Sequence, residues 1–133
     1  MKGIRLSLKD IGFDVASYER VRQMKIVDSD EWFLSQDRQR WHFKDIAELH
    51  AQLKEVATDA NTSGLSFVAV ISETDSLVRK GFYDRYREFD DSLGRSITGT
   101  DAAFVCAFDR RELEAAGVTN VEEELSRSHS KLI

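Results

Sequence analysis

The chain of 133 residues contains no proline, one cysteine, seven glycines and no excess of positive charge. Without proline, internal repeats or a low-complexity stretch, nothing in it reads as an interdomain linker, and 133 residues suit one core; a single domain over residues 1–133 is expected. The lone Cys106 excludes an intrachain disulfide. No Cys/His cluster has zinc-ligand spacing, so no sulfur-based metal site and no cofactor is expected within one chain. No apolar run approaches the roughly 18 residues that cross a bilayer. The start MKGIRLSLKD lacks the apolar core of a signal peptide, and the expected location is cytoplasmic, away from membranes. A net charge of −5 argues against direct nucleic-acid binding, which depends on Lys and Arg displacing phosphate counterions. The basic residues Arg79, Lys80, Arg85 and Arg87 are interleaved with Asp84, Glu88, Asp90 and Asp91, as on a solvated helix face.

The glycines stand at 3, 12, 64, 81, 94, 99 and 117, and none begins GxxxxGK[ST] or GxGxxG. The chain therefore lacks the amide loops that wrap nucleotide phosphates.

Periodicity supplies the positive evidence. Ile4, Leu8 and Ile11 predict a short helix stopped by Gly12, and Val15, Tyr18 and Val21 predict a second over 15–23. MKIV at 24–27 reads as a short buried strand ending in the Asp28-Ser29-Asp30 turn cluster. EWFLSQDRQRW reads as a brief helical turn or strand followed by a loop. Ile46, Leu49, Leu53, Val56 and Ala60 predict a helix over about 43–60. SFVAVIS, without polar alternation, reads as a parallel strand buried on both faces. Phe82, Tyr86, Phe89 and Leu93 predict a further helix, and AAFVCAF at 102–108 a third buried strand. Asp109 is placed to cap a helix RRELEAAG, Thr119 with Glu122 fits a capping box, and KLI suits a final edge strand.

Alternating strands and helices predict an α/β fold of three layers, a mainly parallel sheet with helices on both faces. Ligands of such sheets sit beyond the carboxyl ends of the strands. Those ends carry Asp28, Glu73, Asp75, Asp109 and Arg110, the candidate ligand-binding residues. Glu73 and Asp75 after an apolar strand could hold magnesium for nucleotide hydrolysis, but without a phosphate loop the favoured role of Glu73 is to cap a helix or pair with a base. Trp32, Phe33, Trp41 and Phe43 close one edge of the core, or line an apolar pocket or dimer surface. Cys106, mid-strand, reads as a small hydrophobe rather than a nucleophile. His42 and His50 could share one side of a helix, and His129 belongs to a polar tail.

In order, GFDVASYERVRQMKIVDSDEWFL, FKDIAELHAQLKEVATDANTSGLSFVAVISET, YDRYREFDDSL and FVCAFDRREL resemble the C-terminal two-thirds of the MEDS family, the methanogen/methylotroph DcmR sensory domain. On that resemblance Glu73 falls on the family's Glu, Cys106 and Asp109 fall on the Cys and Asp of its last strand motif, and Phe108 replaces a tyrosine. The family is similar to RecA-like ATPases of the KaiC type with the nucleotide machinery degraded. Ser72 stands about where the Walker B acid would be. The family normally has a further strand and a degenerate phosphate-loop region ahead of what is residue 1 here, so an unpaired sheet edge, and dimerisation across it, is expected.

The resemblance implies a non-catalytic sensory or regulatory module that binds a small ligand or a signalling protein. The alternatives are a weak metal-dependent nucleotide hydrolase built on Glu73 and Asp75, and an assembly protein acting through its aromatic edge.

Overall fold

Helix and strand alternate along most of the chain, and the apolar periodicity explains where. The computed structural model describes residues 2–20, 24–96, 102–127 and 129. In order the elements are α1 (Lys2–Asp10), α2 (Val15–Arg20), α3 (Ser29–Phe33), β1 (Leu34–Asp37), β2 (Arg40–Phe43), α4 (Ile46–Thr62), β3 (Val68–Glu73), α5 (Asp75–Arg79), α6 (Tyr83–Ser96), β4 (Ala102–Ala107), α7 (Arg110–Ala115) and α8 (Val121–Ser126). The chain is thus a mixed α/β protein, as its alternation predicts. Among the described residues no helix is long and apolar enough to cross a membrane. The predicted final strand KLI lies outside the described residues.

The core forms where the two strongest helical periodicities meet. Leu49 of α4 and Tyr86, Phe89 and Leu93 of α6 are buried together with Leu77, Phe33, Leu34 and Phe43. Phe89 is the hub, with the rings of Phe33 at 5.5 Å, Phe104 at 5.8 Å, and Trp32 and Tyr86 at 6.2 Å. These tilted and edge-on geometries let the positive edge of one ring meet the negative face of the next. A smaller cluster of Val78, Leu113 and Val121 joins α5, α7 and α8, and Phe108 packs against both.

The sheets differ from the expectation. β3 and β4 pair in parallel, with Val68 opposite Ala102 and Glu73 opposite Ala107. β1 and β2 form a separate antiparallel hairpin, Leu34 opposite Phe43 and Asp37 opposite Arg40. MKIV is not a strand: residues 24–28 run, without ladder partners among the described residues, into Asp28, which caps α3 by accepting the Asp30 amide at 2.9 Å. Four residues with a lysine among them are too few for periodicity to separate strand from extended coil.

Nor is β3 buried on both faces. Val70, Ser72, Phe104 and Cys106 face the helices, while Phe67, Ile71 and Val105 on the opposite side are 58%, 74% and 44% exposed. Among the described residues the parallel sheet has two strands and one covered face.

The hairpin turn is Arg38-Gln39, both with positive φ, 47° and 67°. The predicted capping box at Thr119 does not form; α8 starts one residue later from Asn120, whose φ of 51° suits asparagine better than most residues. His42 lies on β2 and His50 on α4, so they share no helix. His50 Nε2 instead meets Ser92 Oγ on α6 at 2.7 Å.

Candidate functional site

The ends of β3 and β4 deliver three chain segments to one place. Thr74, fully buried, donates to Ala107 O both from its amide at 3.2 Å and from its hydroxyl at 3.0 Å. Asp75 Oδ1 accepts the Asp109 amide at 3.1 Å, and Ser29 Oγ at the start of α3 donates to Glu73 O at 2.8 Å. The strand ends are thereby fastened to each other and to α3.

Most carboxylates here act on the protein's own groups. Glu73 Oε1 accepts the Asp75 amide at 2.6 Å, the capping role. Partial burial raises the Glu73 carboxyl above its ordinary value, opposing the lowering by that amide, and the neighbouring Asp75 adds to the rise. Asp109 Oδ1 caps α7 through the Arg111 amide at 2.9 Å. The Arg111 side chain, bonded to both Asp109 oxygens, holds that carboxyl below its ordinary value. Asp28 caps α3.

Of the residues picked from the sequence, Glu73, Asp75 and Asp109 come together at the strand ends, and Asp28 lies at the head of α3 beside them. Arg110 turns away: it pairs with Glu114 at 3.3 Å and Glu122 at 3.1 Å on α7 and α8. The guanidinium whose charge acts on Glu73 is Arg79, which bonds Glu112 at 2.9 Å. Sequence reasoning also missed Asp30. Its Oδ2 takes Lys80 Nζ at 2.7 Å and Ser76 Oγ at 3.1 Å, while its Oδ1 is buried with no hydrogen-bond partner among the described residues. The Asp28-Ser29-Asp30 cluster signalled a turn but not which carboxylate would face inward.

The aromatic group divides. Phe33 and Phe43 are core residues with stacked rings 5.9 Å apart, Trp32 is half-buried against them, and Trp41 is exposed, with Lys80 Nζ 5.8 Å from its ring centroid.

A second polar cluster lies inside, between α6, β4 and the segment after α8. Tyr86 Oη donates to Cys106 Sγ at 3.0 Å, and the thiol donates to Asp90 Oδ1 at 3.3 Å. Arg87 Nη1 donates to Asp90 Oδ2 at 2.9 Å, and His129 Nε2 stands 3.1 Å from that oxygen. Burial pushes the Cys106 thiol up to about 12 and the Tyr86 phenol well above its ordinary value, so neither ionises near neutral pH. Asp90, Cys106 and His129 are the described residues that could together hold a metal ion.

One family's sequence model, described as the MEthanogen/methylotroph, DcmR Sensory domain, matches residues 2–129. No curated protein and no solved structure matches the chain significantly.

Proposed function

This chain belongs to the MEDS family of sensory domains, and we propose that it works in the cytoplasm as a non-catalytic sensory module that takes a small ligand at its strand ends and signals through association with a second copy. The carrying observation is how the strand-end carboxylates are used. Glu73, Asp75, Asp109 and Asp28 each accept a main-chain amide, three of them capping the starts of α5, α7 and α3 and Asp75 joining the two strand exits, rather than converge on a metal-bound nucleotide. With no glycine loop to wrap phosphates, a hydrolase reading lacks its main part.

The ligand this site suits carries a hydrogen-bond donor or a positive charge, because the strand ends are acidic and Asp30 Oδ1 is a buried acceptor without a partner among the described residues. A buried acceptor gains from any donor brought to it. A ligand there would touch the segments joined by Ser29, Asp75 and Asp109, and so would move α3 against the sheet.

The open face of β3 and β4 is the output. Parallel sheets are stable when both faces are covered. Among the described residues, Phe67, Ala69, Ile71, Ala103, Val105 and Ala107 form a face whose charge is confined to Glu73 at its end, which suits an identical apolar face better than a charged partner. In this reading the dimer stacks two sheets face to face into helix–sheet–sheet–helix layers, in place of the three-layer, RecA-like arrangement expected from the sequence.

A panel of small amines and other cationic metabolites, screened by thermal shift and calorimetry, is expected to stabilise the protein and to lose its effect in Asp30→Ala. Magnesium-dependent ATP turnover is expected at background level in the native protein and in Glu73→Gln alike. Turnover abolished by Glu73→Gln overturns the non-catalytic reading.

A further inference from the structure

Three parts of the chain that are distant in sequence bring together a buried carboxylate, a part-buried thiol and a part-buried imidazole. α6 supplies Asp90, the helix-facing side of β4 supplies Cys106, and the segment following α8 supplies His129. One ligand atom from each lies within 4.8 Å of the other two. A tetrahedral zinc ion with bonds of about 2.0–2.3 Å needs its ligand atoms roughly 3.4–3.6 Å apart. Cys106 Sγ lies 3.3 Å from Asp90 Oδ1 and His129 Nε2 3.1 Å from Asp90 Oδ2, so the thiol and the imidazole each meet one oxygen of the same carboxylate.

The imidazole is already oriented as a ligand. His129 Nδ1 lies 2.6 Å from Leu125 O, and a carbonyl can only accept, so Nδ1 carries a hydrogen and Nε2 is the nitrogen turned to Asp90. A ring held by its second nitrogen on a main-chain carbonyl is how metal-bound histidines are commonly fixed.

We propose that Asp90, Cys106 and His129 form a metal site for a divalent ion of intermediate softness, zinc(II) being the class it fits. Sulfur, nitrogen and carboxylate oxygen together select zinc over magnesium or calcium, which take oxygen alone. The ion takes Cys106 Sγ, His129 Nε2 and the Asp90 carboxylate, whose Oδ1 faces the thiol and whose Oδ2 faces the imidazole and also accepts from Arg87 at 2.9 Å. On binding, the Cys106 thiol gives up its proton to solvent and sulfur becomes a thiolate; the two anionic ligands then balance the dication. The site stands on this geometry and not on the sensory reading.

Other charged and titratable groups face the cluster: Tyr86 and Arg87 from α6, Asp91 through its contact with Arg87, and Glu124 from α8, whose carbonyl and carboxylate meet Arg87 at 3.0 and 3.7 Å. Since one thiol proton leaves, affinity is expected to rise about tenfold per pH unit across the neutral range.

The test is titration of chelator-treated full-length protein with cobalt(II), followed by zinc(II) competition. One equivalent is expected to produce a thiolate-to-cobalt charge-transfer band that zinc bleaches. Cys106→Ser is expected to abolish the band, and His129→Gln to weaken binding at least as much as the roughly 10–100-fold that follows loss of an outer-shell partner. Far-UV circular dichroism checks that each variant is folded; if Cys106→Ser is not, His129→Gln decides alone. Absence of the band in the native protein, or undiminished binding in a folded variant, overturns the proposal.

Discussion

The carboxylate of Asp75 accepts the main-chain N–H of Asp109 at 3.1 Å, so the residue that opens α5 holds the residue that precedes α7. The bond fixes the two strand exits relative to each other, and Thr74, bonded twice to Ala107 O, supports it. Removing the acceptor leaves a partly buried amide without its partner. Asp75→Ala is expected to cost about 1.5–3 kcal/mol, the range for bonds to charged groups. Urea unfolding should show a lower midpoint at unchanged slope, and Asp75→Asn, which keeps a carbonyl acceptor, should lose less.

The two capping carboxylates pull the pH dependence in opposite directions. Glu73 has a folded pKa above its ordinary 4.5, so its contribution is full below that value and is lost as pH rises through the raised one. Asp109 is depressed by Arg111, so its contribution is present above the ordinary carboxylate value and disappears as pH falls through the lowered one. Glu73→Gln, which keeps an acceptor for the Asp75 amide, is expected to raise stability at pH 7 by less than about 1 kcal/mol, solvent screening being substantial, and to change nothing below pH 4.5. Thermal melts of both proteins across pH 3.5–8 check the sign.

The β1–β2 turn places two ordinary residues in the left-handed region, where a side chain costs about 1–2 kcal/mol and Asn or Gly costs less. Replacing Arg38-Gln39 by Asn-Gly is expected to stabilise the protein by about 1 kcal/mol, a rise in Tm of about 3–5 °C. Calorimetry decides; an unchanged or lower Tm argues against that turn geometry.

Much of the fold was legible because periodicity is local. Leu49 with Leu53, Tyr86 with Phe89 and Leu93, and the runs at 68–73 and 102–107 announced α4, α6, β3 and β4, and Asp109 announced its cap. The hairpin was illegible because Arg38-Gln39 lacks the Asn-Gly signal. The open sheet face was illegible for another reason. Phe67, Ala69 and Ile71 are as apolar as Val68 and Val70, so no alternation distinguishes outside from inside. The gathering of Asp90, Cys106 and His129 depends on how α6, β4 and the segment after α8 pack, which spacing along the chain does not encode.

The output step of the sensory account, association with a second copy, rests on the open face of the β3–β4 sheet, where Ile71 is 74% exposed. Light scattering at tens of micromolar, for the native protein and for Ile71→Glu, measures this most directly. A dimer that becomes a folded monomer on substitution is the predicted result; a native monomer, or a dimer indifferent to Ile71→Glu, contradicts it.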